Sequence, residues 1–505
     1  NTYTGNTTVA NGSTLKISGA GNLGGGTYSS TLTINDTSGF HWDGDNLQVF
    51  DGTVQGSGTG GILATGTGQL RLMFDAVAYS GPVTVDGGSL QFRNTGDTSG
   101  FTSNNLNIEG GGALAIQSSI GGANRTSLNN KTWNFDNGGG TLTFNQGNNL
   151  FQGGGSTHNF DVTAAGSGSS ITSINGGFMN MQGSGNIEFD IADGAEDRDL
   201  TLSATWNNGL LTKNGAGTLA ITGTYNESDA FEPIDINAGT LEVGGSARLA
   251  ANNGGDFRSN ITNDGTYKHN SSANQTLSGV ISGSGAVIKD NTGTLTLTAN
   301  NNFSGGTTVD GGTLQLTVDG RIGNGGLTVN NGGTFSIAND DFNSLGGAIT
   351  VNEGGTLSTD STGNNAHNIG AITLNGGTLS SSGATWTEGN WIFNGDVTVG
   401  GSALSTISGL AVGSKFAGGT YNVADSVAGA STDLLVSADI TLGSLTKTGT
   451  GTMELTGANT YTGVTTVSAG TLALNGAADN SRIAGDANTA TFNVTISGGT
   501  LRNDA

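Results

Sequence analysis

Cysteine is absent from the 505-residue chain, proline occurs only twice, and charged residues make up only 11% of it. The lack of cysteine excludes a disulfide framework and a thiolate metal site. The scarcity of proline and the lack of a Gly-X-Y period exclude a collagen triple helix. Only 16 basic residues stand against 39 acidic ones, which gives a net charge of −23. Because phosphate recognition needs clustered Lys and Arg, no nucleic-acid partner is predicted.

Long apolar segments are also missing. No run approaches the ~18 residues of a membrane helix, and no basic start followed by an apolar core marks a signal peptide. The sequence therefore predicts no membrane insertion by this chain. Residue 1 falls inside a repeat that is spelled in full near residue 459. The chain is therefore interpreted as a fragment of a longer protein.

Glycine, in contrast, is abundant, with 92 residues, and it punctuates short alternating runs. In "TTVDGGTLQL", residues 307–316, apolar side chains recur at every second position on either side of Asp-Gly-Gly. Each flank is therefore a short strand with one apolar face. Glycines of such turns, for example Gly355, are expected to supply a positive φ angle.

The spacing of these runs is regular. Leu314, Phe335, Leu357 and Leu379 follow one another at intervals of 21, 22 and 22 residues. Strands this short bury their apolar face only if each coil stacks on the next one. We therefore predict an all-β fold, a right-handed parallel β-helix (β-solenoid) with about 20–24 residues per coil. No proline-rich linker divides the chain, so residues 1–505 are predicted to form a single domain.

A longer repeat contains these runs. The segment "GTGTMELTGANTYTGVTTVSAGTLAL" (449–474) has counterparts at 66–92, 215–243 and 292–316. It resembles the passenger-associated transport repeat of bacterial autotransporter passengers. The residues that match are Gly449, Gly451, Leu455, Asn459, Tyr461, Gly463, Thr466, Val467, Gly470, Thr471, Leu472 and Leu474. The resemblance implies a secreted β-helical passenger, of a kind found in adhesins and aggregation factors.

Two acidic segments contain residues that could carry chemistry. Asp340 and Asp341 are adjacent and could act as an acid/base pair, but they are interpreted as a solvated turn. The densest acidic cluster, "DGAEDRDL" (193–200), offers oxygen ligands that suit Ca²⁺. It contains Asp193, Glu196, Asp197 and Asp199 beside Arg198. The favoured interpretation is an acidic surface loop that its own arginine neutralises.

Aromatic and histidine residues give weaker signals. "FHWDGDN" (40–46) combines an exposed-looking Trp42 with polar neighbours that could bind a sugar, although a loop decoration is favoured. The neighbours are His41, Asp43 and Asp45. Trp386 and Trp391 are predicted to be core or strand-flanking aromatics. None of His41, His158, His269 and His367 lies in the Gly-His-Gly segment that a resemblance to polygalacturonase-type hydrolases would require.

No catalytic, cofactor-binding or metal-binding residue is therefore predicted. The predicted function is that of a non-enzymatic extracellular bacterial surface protein, a rigid β-solenoid stalk or adhesin, or a component of a filament or matrix. The alternatives are a polysaccharide-active β-helix enzyme, either lyase or hydrolase, and a glycan-binding module. Expected partners are a host or neighbouring-cell surface, glycans, or further copies that associate end to end. The expected location is the bacterial outer-membrane surface or the medium.

Overall fold

Parallel β-strands dominate the computed structural model. It describes residues 1–504 except 74–76, 95–104, 119–131, 146–147, 153–156, 175–177, 183–185, 208, 227–232, 251, 253, 318, 339–343, 360–366, 382–390, 410, 415–418, 428–430, 476–482 and 484–492. The chain divides into two compact units, Asn1–Tyr267 and Lys268–Ala505. The strand Thr266–Ser271 contains the boundary. A single domain over 1–505 stays a prediction.

The N-terminal unit has two long sheets. Sheet 1 comprises Thr14–Gly19, Gly39–Gly44, Gly61–Ala64, Val83–Asp86, Asn105–Glu109, Thr132–Phe135, Thr157–Val162, Asn186–Ile191, Leu210–Asn214, Ile234–Ile236 and Ile261–Asn263. Sheet 2 comprises Thr27–Tyr28, Gln48–Phe50, Gln69–Met73, Ser89–Asn94, Gly112–Ser118, Gly140–Asn145, Ser169–Ile174, Leu200–Leu202, Thr218–Ile221 and Thr240–Gly245.

Shorter elements complete the N-terminal unit. One four-stranded sheet contains Thr7–Val9, Leu32–Ile34, Val54–Gly56 and Val77–Tyr79. Another contains Asn148–Gln152, Phe178–Gln182, Trp206–Asn207 and Tyr225–Asn226, and a further strand is Asp256–Phe257. Short 3₁₀ turns lie at Gly24–Gly26 and Ala164–Gly166. Within the described ranges of the whole chain, no helix has both the length and the apolar character that crossing a bilayer requires.

The C-terminal unit repeats this plan. Sheet 3 comprises Ala286–Lys289, Thr307–Val309, Leu327–Val329, Ile349–Asn352, Ile372–Asn375, Val397–Val399, Gly419–Val423, Leu445–Thr448, Thr465–Val467 and Val494–Ile496. Sheet 4 comprises Gln275–Leu277, Thr294–Leu297, Gly312–Leu316, Gly333–Ile337, Thr356–Thr359, Thr378–Ser381, Ser405–Gly409, Leu434–Val436, Thr452–Leu455, Thr471–Leu474 and Thr500–Asn503. Sheet 5 comprises Ser344–Leu345, His367–Ile369, Trp391–Phe393, Ala411–Ser414 and Asp439–Ile440, and a further strand is Ile281–Ser282.

Stacking of equivalent side chains builds the core of each unit. In sheet 4 a continuous column of fully buried side chains runs through six coils, with each member paired in parallel register to the next. The column consists of Leu295, Leu314, Phe335, Leu357, Leu379 and Ile407. The predicted all-β parallel solenoid is thereby confirmed.

Coil length varies more than the regular spacing indicated. The register places Leu314 19 residues after Leu295, and Ile407 28 residues after Leu379. The predicted intervals hold only in the middle of this column, at Leu314, Phe335, Leu357 and Leu379. Extra residues fall between strands, because a strand must keep its phase to keep its apolar face inward.

The turn glycines have two separate roles. Gly354 has a φ of +73°, the left-handed conformation that a side chain disfavours. Gly355, for which a positive φ was predicted, does not have one. A Cβ atom at Gly355 would instead lie 2.6 Å from the carbonyl oxygen of Val329, in the preceding coil. The prediction of a positive φ at Gly355 was therefore wrong. Glycine is required there by the close packing of neighbouring coils, not by the backbone conformation.

Candidate functional site: buried lysines and an amide ladder

Three buried lysines fasten turns of successive coils. Each ammonium donates hydrogen bonds to the carbonyl oxygens of the two residues that follow it and to a third carbonyl in the next coil. For Lys289 these acceptors are Asp290 at 2.6 Å, Asn291 at 2.7 Å and Gly311 at 3.0 Å. The same arrangement recurs at Lys213 and Lys447. All three residues have no solvent exposure, so each ammonium is paired with carbonyls instead of water.

Burial changes the acid–base behaviour of these lysines. Loss of water lowers the pKa of each ammonium to about 8. Carboxylates act in the opposite direction: Asp190 and then Asp199 at Lys213, Asp290 at Lys289, and Asp433 at Lys447. The lysines are therefore charged at neutral pH and lose their proton in mildly alkaline solution.

A second polar side chain accompanies each lysine and bonds the N–H group at the start of the next strand. Asp433 accepts hydrogen bonds from the N–H groups of Ser426 and Val427, both at 3.0 Å, and of Thr452, at 2.8 Å. Asp199 accepts from the N–H of Thr218 at 2.7 Å, from that of Gly194 and from the hydroxyl of Ser167. Asn274 accepts from the N–H of Thr294 at 3.0 Å.

We call each lysine with its partner Asp or Asn a clamp: Asp199/Lys213, Asn274/Lys289 and Asp433/Lys447. None of the three clamps was predicted from the sequence. The clamps can be recognised in the sequence by a nearly constant spacing. The lysine follows the Asp or Asn by 14, 15 and 14 residues, and the threonine that donates its N–H follows the lysine by 5 residues each time. Two of the clamps lie in the similar segments "LTKNGAGT" (211–218) and "LTKTGTGT" (445–452).

The Lys447 clamp gives a prediction of pH dependence. Between about pH 8 and the ordinary lysine pKa of about 10.4, the unfolded chain holds a proton that the folded chain has released. Folding stability therefore rises with pH through this window. In Lys447→Met we expect a smaller rise, measured as the free energy of unfolding at about pH 8 and about pH 10. Arg502→Met, which removes an exposed cation of the same unit, is the control. An unchanged rise in Lys447→Met would contradict the prediction.

A ladder of amide side chains follows the outer face of sheet 3. Asn375 donates to the Oδ1 atom of Asn352 at 3.0 Å, Asn352 donates to Asn330 at 2.7 Å, and Asn330 donates to Asp310 at 2.7 Å. Every amide uses its NH₂ group toward the preceding coil. An aspartate fits the first position of the ladder because a carboxylate only accepts.

Breaking this ladder should weaken the C-terminal unit. Asn352→Leu removes two hydrogen bonds, at about 0.5–1.5 kcal/mol each, so we expect a loss of about 1–3 kcal/mol in the free energy of unfolding. Asn352→Asp keeps the acceptor for Asn375 but loses the donor to Asn330, and it should show a smaller loss. Denaturant unfolding of both variants checks the order, and equal stability of Asn352→Leu and the parent would contradict it.

Trp42 is not an exposed sugar-stacking residue. It is fully buried, and its indole N–H donates to the carbonyl of Gly68 at 3.1 Å. Its neighbours are used within the protein: Asp43 pairs with Lys16 at 2.8 Å, and His41 bonds Thr65 at 2.7 Å. The alternative of a sugar platform at Trp42 is therefore wrong. The favoured interpretation as a loop decoration is wrong as well, because Trp42 lies in the strand Gly39–Gly44 and its side chain is buried in the core.

The residues of the acidic cluster at 193–200 contact different parts of the protein. Arg198 pairs with the largely buried Glu242, and Asp199 is buried in a clamp. The interpretation as a surface loop that its own arginine neutralises is therefore wrong for these two residues, because Arg198 pairs outside the segment. No group of three or more potential metal ligands occurs in the residues that the structure describes. Asp340, Asp341 and Trp386 lie outside those residues, as does the side chain of His158. Trp391 is buried, as predicted for a core aromatic. The side chains of His269 and His367 are buried as well.

Four segments of the chain match a known repeat family. The family model "Passenger-associated-transport-repeat" matches residues 63–92, 211–243, 287–316 and 445–474. Four segments of the chain therefore match this repeat. The predicted resemblance to autotransporter passengers is thereby confirmed. Three of these repeats begin with the strand that holds a clamp lysine, and the repeat at 63–92 has a threonine, Thr65, at that position.

A search of curated proteins gives a related result. The chain is 28% identical over 307 residues to "Adhesin BmaC autotransporter" of Brucella suis biovar 1 (strain 1330). The match covers 59% of this chain and 7% of that protein. The chain therefore spans only a small part of the length of the curated relative that it matches.

Proposed function

We propose that this chain is a non-enzymatic segment of an adhesin-type autotransporter passenger that is exposed on the bacterial surface or secreted. The four repeats carry the proposal, and the similarity to a protein named as an adhesin supports it. Stacked coils fastened by buried lysines suit a passenger, because each coil needs only its neighbours to fold. The segment displays polar strand faces on which contacts with a host or neighbouring cell can be spread.

Surface display tests this function. The full chain, fused to an outer-membrane anchor on a non-adherent laboratory bacterium, should raise attachment to cultured host cells or to glycan-coated beads. The anchor alone is the control for display. No gain in attachment with folded, surface-accessible chain would overturn the proposal.

Enzymatic turnover is tested with the purified chain. Incubation of the purified chain with a panel of acidic and neutral polysaccharides should release no reducing or unsaturated sugar ends. Release that scales with protein concentration would replace the adhesin proposal by the polysaccharide-active enzyme.

End-to-end self-association is tested by sedimentation velocity. A sedimentation coefficient that rises with protein concentration would support self-association, and a constant monomer value would contradict it.

A further inference from the structure

A cavity of about 250 Å³ lies in the C-terminal unit, where the asparagine-rich turn after the strand Thr294–Leu297 meets the equivalent turn of the next coil. Asn300 and Arg321 are joined there by an isolated parallel bridge. Ligand pockets for drug-sized molecules span about 300–1,000 Å³. The volume therefore suits a single small polar unit more than a long chain.

The floor of the cavity is apolar. Leu316, Ile322 and Leu345 line it and are 0%, 8% and 5% exposed. All three side chains are buried, so the floor is part of the solenoid interior. The C–H face of a ring can pack against such a floor.

The rim is polar and carries one cation. Asn300, Asn302 and Asn324 are exposed at the edge, and their amides both donate and accept hydrogen bonds. Arg321 is exposed beside them and forms no ion pair with any residue that the structure describes. A guanidinium without a carboxylate partner among the described residues is available for a carboxylate of a ligand.

The wall that presents Arg321 is held firmly. Asn301 is 4% exposed, and its amide donates to the carbonyls of Ala299 at 3.1 Å and of Arg321 at 2.7 Å. Its Oδ1 atom accepts from the N–H of Ile281 at 2.7 Å. Close packing adds to this, because a Cβ atom at Gly323 would clash with the carbonyl oxygen of Phe303. The backbone at Arg321 is therefore fixed between neighbouring coils before a ligand arrives.

We propose that this cavity binds one sugar unit that carries a carboxylate, such as a uronic acid residue of an acidic glycan. The guanidinium of Arg321 pairs with the carboxylate, the asparagine amides bond the ring hydroxyls, and the apolar floor covers the C–H face. The proposal rests on the proposed function in that it names the ligand class of the adhesin, and the site forms without any other subunit.

Binding of a tri-uronate to the full chain, followed by calorimetry and by ligand-observed NMR, tests the site. We expect the tri-uronate to bind more tightly than its methyl ester, which has the same shape but no charge. Arg321→Gln should weaken tri-uronate binding on the order of tenfold and remove the preference over the ester. Arg321→Lys keeps the charge without the planar fork and should fall between the two. Arg258→Gln, which removes an exposed arginine paired with Asp256, is the matched control and should leave binding unchanged.

No tri-uronate binding by the parent chain, equal binding of acid and ester, or unchanged binding by Arg321→Gln would each overturn the proposal. The outcome is separable from that of the display experiment. Attachment of displaying cells without tri-uronate binding sinks only the cavity proposal. Tri-uronate binding without any attachment sinks only the adhesin function.

Discussion

Phe160→Ala is expected to lower the free energy of unfolding of the N-terminal unit by about 3–5 kcal/mol. Phe160 is fully buried between Trp133 and Phe189 of the adjacent coils of sheet 1, with which it is paired in register. Its ring stacks on that of Trp133 at 6.2 Å and on that of Phe189 at 5.0 Å. Alanine removes both ring contacts and leaves a cavity that two rigid neighbours cannot fill.

The loss should also be local, because each coil touches only its neighbours. Hydrogen exchange should therefore accelerate most in strands Thr132–Phe135 and Asn186–Ile191 and least in strands Thr14–Gly19 and Gly39–Gly44. Leu47→Ala, at a residue that is 44% exposed in the same unit, is the control and should change little. A uniform acceleration across the unit, or none at strand Asn186–Ile191, would count against the stacked-column account.

Asp433→Ala is the second large effect, an expected loss of about 3–5 kcal/mol from the C-terminal unit. The substitution leaves the N–H groups of Ser426, Val427 and Thr452 without their acceptor in a site that is 4% exposed. It also removes the carboxylate that favours the charged form of the buried Lys447. Denaturant unfolding of the purified chain measures the loss.

Asp433→Asn is the matched variant, since Asn274 fills the equivalent position in another clamp and bonds the N–H of Thr294. It should cost clearly less than alanine. In the double variant Asp433→Ala/Lys447→Met the losses should be less than additive, because each residue's partner is already gone. Strict additivity would show that Asp433 and Lys447 do not act as one clamp.

The solenoid was predictable because burial forces a simple rule on the sequence. The intervals between Leu314, Phe335, Leu357 and Leu379 reflect one strand per coil at one phase. The alternation of inward and outward side chains along a strand also predicts that Trp42 is buried. Phe40, two residues earlier, is buried on the same face. The polar neighbours of Trp42 favoured an exposed loop residue, with a sugar platform as the alternative, whereas Trp42 lies in a strand beside the buried Phe40.

The clamps and the Arg321 cavity were harder to predict. Lys213 and Lys447 are charged residues in otherwise alternating strands, and a charge at an inward position is normally excluded unless it is paired. Their carbonyl partners are backbone atoms, which leave no trace in residue types. The cavity depends on which asparagine of the run 300–302 points inward, and only the register between coils determines that Asn301 does.

The central claim is that successive coils of the C-terminal unit stack in parallel register, and distances between paired spin labels test it most directly. The chain has no native cysteine, so single cysteines at Thr308, Thr398 and Thr448 label only those sites. Successive register partners place Thr398 four coils and Thr448 six coils after Thr308. At about 4.8 Å per coil, the backbone separations are about 19 Å and about 29 Å. A longer distance for the pair 308/448 than for 308/398, by about 10 Å, is the predicted result. Equal distances, or a shorter one for 308/448, would contradict the stacked solenoid.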